Sequence, residues 1–177
     1  MAEQDEQQKL QGYLRSQGAK LSAEQIRDRI QEASDEFLGV VQGATEALVR
    51  KAPAPGEWSL AEILDHLVTT EERITGVING LVAGRKPPAP LEIGATSGIA
   101  SQPWPELLVR LSRSQAALSA LLTANRHEPH VDLRFPEGYF GDINWKEYAL
   151  ILRLHYKDHA GQARNTLEAL GGTGATK

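Results

Sequence analysis

Apolar residues recur every three or four positions in four long segments, and this spacing restricts the fold more than any other feature of the sequence. Such a period places the apolar side chains on one face of an α-helix. Three of the segments open with a capping box, in which Ser or Asn precedes Glu or Gln by three residues. The pairs are Ser22 with Gln25, Ser59 with Glu62 and Asn144 with Glu147. Four amphipathic helices bury their faces best against one another, so the sequence predicts an all-α four-helix bundle.

Prolines and glycines set the predicted ends of the helices. The four predicted helices cover about 22–48, 59–84, 103–125 and 144–170. The connection 85–102 contains three prolines and no helical period, and it is either a lid or a strap. Between residues 127 and 144 the pattern alternates over 131–135, can turn at 136–138 and continues at Tyr139 and Phe140, which predicts a small β-hairpin before the last helix.

The chain as a whole is predicted to form one domain with two short ends. Residues 1–20 form an N-terminal extension with a short helix, 21–171 the bundle, and 172–177 a flexible tail of small and polar residues. At 177 residues the chain is long enough to bury a sizeable core without staples. A homodimer is compatible with a bundle of this size.

Composition excludes several classes of function. A formal net charge of -4 argues against a nucleic-acid partner, which needs a concentrated basic face. Neither a secretory signal nor a stretch of about 20 apolar residues is visible, so we expect a cytoplasmic protein with no membrane segment. The chain has no Cys, so any metal must be held by His or carboxylate, and any thiol chemistry needs an external thiol.

Three of the five histidines lie on helix faces that point into the bundle. His155 and His159 are four residues apart, so they project from one face, near the middle of the apolar stripe of the last helix. His66 lies on the shoulder of the stripe of the second helix. Three His ligands with an open fourth position are typical of a catalytic site for zinc or a similar divalent ion. The alternative is that these are core histidines paired by hydrogen bonds.

Other candidate residues have simpler explanations in the sequence. Glu62 could orient His66, but its place in a capping box already accounts for it. We expect Asp65 and Asp158 to be solvated surface residues, because each is turned about 100° from its neighbouring histidine. His127 and His130 are expected on a surface loop, and Trp58 and Trp145 are expected to fill the ends of the bundle.

Two stretches of sequence resemble the DinB-like (YfiT-like) family of bundle proteins. Trp58–Leu67 is similar to the family's entry into a helix that carries a metal-binding His, and Phe140–Glu147 is similar to its Phe-Gly turn and final helix cap. His155 and His159 match the terminal His-x-x-x-His pair. The resemblance implies an up-down-down-up bundle with a divalent metal on His66, His155 and His159. This chain departs from the family at His127–Gly138, which is longer than the short His-Pro link that precedes the Phe-Gly turn in the family.

Known activities of the family imply what this chain could do. They include S-transfer from low-molecular-weight thiols, thiol-dependent isomerisation and metal-dependent hydrolysis. We therefore expect a metal-dependent transferase or hydrolase that holds zinc or nickel and acts on a small-molecule substrate, with an external low-molecular-weight thiol in the transferase case. The alternatives are a non-catalytic metal or small-ligand binding bundle and a plain structural bundle.

Overall fold

A computed structural model describes residues 2–89 and 96–171. The helices are α1 (Ala2–Lys20), α2 (Ala23–Val41), α3 (Glu46–Val49), α4 (Leu60–Val82), α5 (Trp104–Ala124) and α6 (Trp145–Ala169), with a 3-10 turn at Ile99–Ser101 and strands β1 (Phe135–Glu137) and β2 (Gly141–Ile143). The predicted tail at 172–177 lies outside the described residues. Within these ranges no helix is long and apolar enough to cross a membrane.

The predicted four-helix bundle is confirmed, and it consists of α2, α4, α5 and α6. All three predicted capping boxes form, at Ser22, Ser59 and Asn144. The core contains the fully buried side chains of Trp145, Tyr148, Tyr156, Phe37, Leu64 and Ile78. Burying a large apolar side chain stabilises a fold by about 1.5–3 kcal/mol, so packing between these helices dominates their stability.

The bundle helices follow the up-down-down-up course that the resemblance implies. α2 and α5 are antiparallel, since Arg27 near the start of α2 donates to Thr123 at the end of α5 (3.0 Å). α4 and α5 run in the same direction, because Asp65 near the start of α4 binds the chain just before α5. α6 runs against α4, so that His66 near the start of α4 lies beside His159 in the second half of α6.

The first predicted helix is interrupted, contrary to the prediction that it continues to residue 48. α2 ends at Val41, and Gly43 has a left-handed φ of +83°, which an L residue adopts only at a cost. Thr45 then caps α3, because its side chain accepts from the backbone N–H of Leu48. Leu48 still packs against the core, which is why the apolar period runs through the break.

The N-terminal helix α1 is 19 residues long, not short as predicted. It packs antiparallel to α6: Gly18 lies against Glu147 at the start of α6, and Tyr13 accepts a hydrogen bond from Arg153 further along (2.7 Å). Leu14 is fully buried between them. Few apolar residues mark this face of α1, so the sequence pattern indicates only part of the helix.

The predicted hairpin is present, but its strands lie further along the chain than expected. β1 pairs with β2 in antiparallel register, with Phe135 opposite Ile143. The turn occupies 138–140 and not 136–138. The carboxylate of Glu137 accepts from the backbone N–H groups of Tyr139 (2.8 Å) and Phe140 (2.7 Å), so these residues form the turn and not a strand.

Asp65 is buried, and the prediction that it lies at the surface was wrong. Only 1% of the residue is exposed, and its carboxylate accepts hydrogen bonds from Ser97 N (2.9 Å), Ser97 Oγ (3.0 Å), Thr69 Oγ1 (3.1 Å) and Ala100 N (3.2 Å). Burial favours the neutral acid, but these bonds outweigh it and lower the pKa of Asp65. The segment 96–101 is therefore a strap fastened to α4.

Replacing Asp65 by Ala should destabilise the protein, because four donors lose their acceptor. We expect Asp65→Ala to lower the free energy of unfolding by about 2–3 kcal/mol, measured by urea denaturation. Asp158→Ala removes an exposed carboxylate and is the matched control. Equal stability of the two variants would show that the strap does not depend on Asp65.

A second buried carboxylate lies in the middle of the bundle. Glu71 on α4 has no exposed surface and accepts a hydrogen bond from the hydroxyl of Tyr156 on α6 (2.6 Å). Burial raises the pKa of Glu71, and the bond from Tyr156 offsets this only in part. The carboxyl is thus neutral over a wider pH range in the folded than in the unfolded chain.

The raised pKa of Glu71 predicts a loss of stability as pH rises. In the unfolded chain the Glu71 carboxyl loses its proton near the ordinary pKa of 4.5, whereas in the folded chain it keeps the proton to a higher pH. The free energy of unfolding therefore decreases from about pH 4.5 upwards, until the pH passes the raised pKa of the folded chain. Glu71→Gln should remove this fall and raise the melting temperature at pH 7.5. Glu72→Gln, at an exposed neighbour, should leave the fall in place. The melting temperature is measured from pH 4 to 8 for each variant. A melting temperature that decreases with pH as steeply in Glu71→Gln as in the unaltered protein would contradict this prediction.

Candidate metal centre

The three predicted histidines meet between α4 and α6. His155 Nε2 lies 2.8 Å from His66 Nε2 and 3.0 Å from His159 Nε2. One ring nitrogen from each residue lies within 4.8 Å of the other two. His66 and His159 are buried and His155 is half-buried. The four-residue spacing on α6 and the second turn of α4 therefore bring together the three residues that the sequence selects.

The ring of His159 is held by a hydrogen bond at its other nitrogen. His159 Nδ1 lies 2.7 Å from the side-chain oxygen of Gln162, one turn further along α6. An amide oxygen only accepts, so this contact places the proton on Nδ1 and leaves a lone pair on Nε2. Metal-ligating histidines commonly have such a partner, which fixes the ring and its tautomer. Gln162 was not selected from the sequence, although its three-residue spacing from His159 is a signal for it.

His155 is the ring that hydrogen bonds do not satisfy. Its Nε2 is within hydrogen-bond distance of two other Nε2 atoms, and its buried Nδ1 has no hydrogen-bond partner among the described residues. A neutral imidazole nitrogen offers either one N–H or one lone pair. It therefore cannot bind both neighbours well. Leaving polar atoms unpaired in a buried site costs about 1–3 kcal/mol each.

The environment keeps two of the three rings uncharged. Burial, followed by the charges of His159 and His66, lowers the pKa of His155 to about 2. Burial also lowers the pKa of His159, against the opposing effect of the hydrogen bond to Gln162. These two rings are thus neutral at pH 7, and neutral imidazole is the form that binds metal.

Trp58 lies against the cluster and does more than fill the end of the bundle. Its ring centroid is 5.0 Å from that of His66 and 6.3 Å from that of His159, and the rings of Trp58 and His159 are inclined by only 19° to each other. The half-buried indole covers one side of the histidines. The sequence signal for this contact was the position of Trp58 immediately before the N-cap Ser59, because the helix that follows carries His66 in its second turn.

The remaining candidates do not join the cluster. Glu62 forms the predicted capping box, with Ser59 N donating to its carboxylate (2.8 Å). Asp158, His127 and His130 are exposed. Trp145 is fully buried, as predicted, and its indole N–H donates to the carbonyl of Pro129 (2.8 Å). In the ranges that the structure describes, the metal-compatible group contains three histidines and no carboxylate.

A cavity of about 680 Å³ opens beside His66 and His155. It lies between α1, α4, α6 and the hairpin. Pockets for small organic ligands are typically about 300–1,000 Å³. The histidine cluster thus has both a buried side under Trp58 and a side that a small molecule can reach.

A four-helix bundle with a three-histidine cluster beside a cavity is the class of protein that fold and site define. The family model of the DinB superfamily matches residues 29–163, and the chain belongs to this superfamily. Among solved structures it is similar to TT2238, described as a four-helix bundle protein. That likeness has a TM-score of 0.62 at 16% identity, covers 79% of this chain and 96% of TT2238, and concerns the fold alone. No curated protein sequence matches the chain significantly.

The contact between His159 and Gln162 predicts a single tautomer for this ring. In long-range proton–nitrogen NMR spectra of the metal-free protein at pH 7, His159 should carry its proton on Nδ1. Gln162→Leu removes the acceptor, so a mixture of tautomers should replace the single form. A His159 that carries its proton on Nε2 in the unaltered protein would contradict the geometry.

Proposed function

We propose that His66, His155 and His159 bind one divalent metal ion through their Nε2 atoms. The observation that carries this proposal is the convergence of three Nε2 atoms on one point, where the ring of His155 cannot satisfy both of its neighbours. An ion at that point accepts a lone pair from each ring and removes the conflict at His155. Tetrahedral nitrogen ligands about 2.0–2.1 Å from zinc stand roughly 3.3 Å apart, so small rotations of the rings open the site.

The donor set is compatible with zinc or nickel, the ions that we propose. It consists of imidazole nitrogens without thiolate or carboxylate, and imidazole suits these ions as well as copper and iron. Structural zinc sites usually have four protein ligands. Three ligands leave a position open, and the cavity beside His66 and His155 gives a small molecule access to it.

We further propose that the protein is a metal-dependent transferase or hydrolase for a small-molecule substrate. When bound, the ion supplies Lewis acidity at its open position. The chain supplies the rest: Gln162 orients His159, Trp58 keeps water from one side, and the cavity holds the substrate. Because the chain has no Cys, S-transfer requires an external low-molecular-weight thiol, whereas hydrolysis requires none. Dependence of turnover on added thiol therefore separates the two reactions.

One observation favours a second candidate, a non-catalytic metal or small-ligand binding bundle. No carboxylate of the described residues joins the histidine group, and the two acidic residues of α4 closest to His66 in the sequence are engaged elsewhere, Glu62 in its capping box and Asp65 with the strap. A histidine group without a carboxylate can hold a ligand without converting it. This candidate predicts stoichiometric metal together with no turnover on electrophiles or esters, with or without thiol.

Metal content is the direct test of the proposed site. Protein prepared without a polyhistidine tag or added metal should contain about one divalent ion per chain by elemental mass spectrometry, or take one up from zinc or nickel solution. The His155→Ala, His159→Ala double variant should lose more than about 90% of it, because one remaining imidazole binds weakly.

His127→Ala is the matched control, since it removes an exposed histidine from a loop outside the cluster. It should retain the metal content of the unaltered protein. Absence of metal from the unaltered protein after incubation with both ions would contradict the proposal. Equal loss in the control and in the double variant would place the ion elsewhere.

A further inference from the structure

The N-terminal helix forms one wall of the cavity beside the histidines. Glu6 and Leu10 of α1 line the cavity, and both precede the segment 29–163 that the family model matches. α1 is fixed at its other end by the bond from Arg153 to Tyr13 and by the buried Leu14. Its first half thus lies over the cavity, outside the segment that the family model matches.

A hydrogen bond joins this wall to the hairpin. The side-chain amide of Gln7 donates to the carbonyl oxygen of Tyr139, in the turn between β1 and β2. The rings of Tyr139 and Phe140 pack edge to face, 5.0 Å apart, and both residues line the cavity. α1 and the hairpin therefore form one continuous wall of the cavity.

The walls are mainly apolar. Leu10, Ile74, Phe140, Ile151 and Leu154 line the cavity from α1, α4, the hairpin and α6. An apolar lining of this size favours a ligand with an apolar body, because burying that body gains about 25 cal/mol per Å². His66 and His155 provide the polar end of the cavity.

The charges around the cavity argue against an anionic ligand. Glu6, Glu137 and Asp158 are acidic, and Arg73 and Lys157 are basic. Lys157 is also paired with Glu36 (3.4 Å), outside the cavity. Acidic residues thus exceed basic ones in the lining, which disfavours an anion, and the mainly apolar walls favour an uncharged ligand.

We propose that the cavity binds a small, uncharged molecule with an apolar body and a polar group directed at the histidine cluster, and that Leu10 of α1 determines which bodies fit. The inference rests on the proposed function only for the role of the polar group at the metal. The apolar site belongs to the chain itself and is present in metal-free protein.

Prodan, a neutral naphthalene dye, tests the apolar site without metal. Titrated into metal-free protein, it should bind saturably with a blue-shifted emission, and the anionic dye anilinonaphthalene sulfonate should bind more weakly. Leu10→Gln should weaken prodan binding at least about fivefold, since it places a polar group in the wall. Phe140→Ala, on the hairpin, should weaken it as well and does not depend on the folding of α1.

Val109→Gln is the matched control, because Val109 is an exposed apolar residue on α5 and does not line this cavity. It should leave the affinity for prodan unchanged. Absence of saturable binding, or equal affinity in Leu10→Gln, Phe140→Ala and the control at unchanged melting temperature, would overturn the proposal. Tighter binding of the anionic dye would overturn the choice of an uncharged ligand.

Two further readouts separate this proposal from its neighbours. Metal content is measured on the same samples and does not depend on the dye. Bound metal without dye binding would overturn this inference alone. Dye binding without metal would support the inference and contradict the proposed function. Sedimentation at rising protein concentration identifies a second copy as the occupant. Loss of dye binding in step with dimer formation would overturn a small-molecule ligand.

Discussion

The site of this protein depends on the apolar packing of α4 against α6, which brings together three imidazole rings although that of His155 cannot satisfy both of its neighbours. His155 Nε2 contacts the Nε2 atoms of both His66 and His159, and its Nδ1 has no hydrogen-bond partner in the described part of the chain. Burying polar ring nitrogens without partners costs free energy, unless a bound group accepts their lone pairs. The antiparallel packing of α4 against α6 maintains the cluster, since the two helices are held by an apolar core and not by the histidines.

Other buried polar groups hold the helices that carry these rings. Asp65, next to His66 in the sequence, fastens the strap at 96–101 to another face of α4. Glu71 joins the next part of α4 to Tyr156, the neighbour of His155. Each ligand helix is therefore fixed by a polar bond close to its histidine. Sites fixed in this way keep their geometry without relying on the bound group.

Local rules made the helices and the histidines predictable. Capping boxes and an apolar period define helix starts from neighbouring residues alone, and a spacing of four puts His155 and His159 on one face. Long-range pairing was not predictable in this way. The burial of Asp65 depends on Ser97 and Ala100, more than 30 residues away. The register of the hairpin depends on which donors the carboxylate of Glu137 accepts, and the place of α1 depends on its packing against α6.

The central claim is that His66, His155 and His159 share one ion, and X-ray absorption spectroscopy of the metal-loaded protein tests it most directly. Loaded with zinc, the protein should show three imidazole ligands at about 2.0–2.1 Å, together with one oxygen ligand from solvent. A shell made only of oxygen atoms, or one with fewer than two imidazoles, would contradict the claim and leave the histidines as residues of the core.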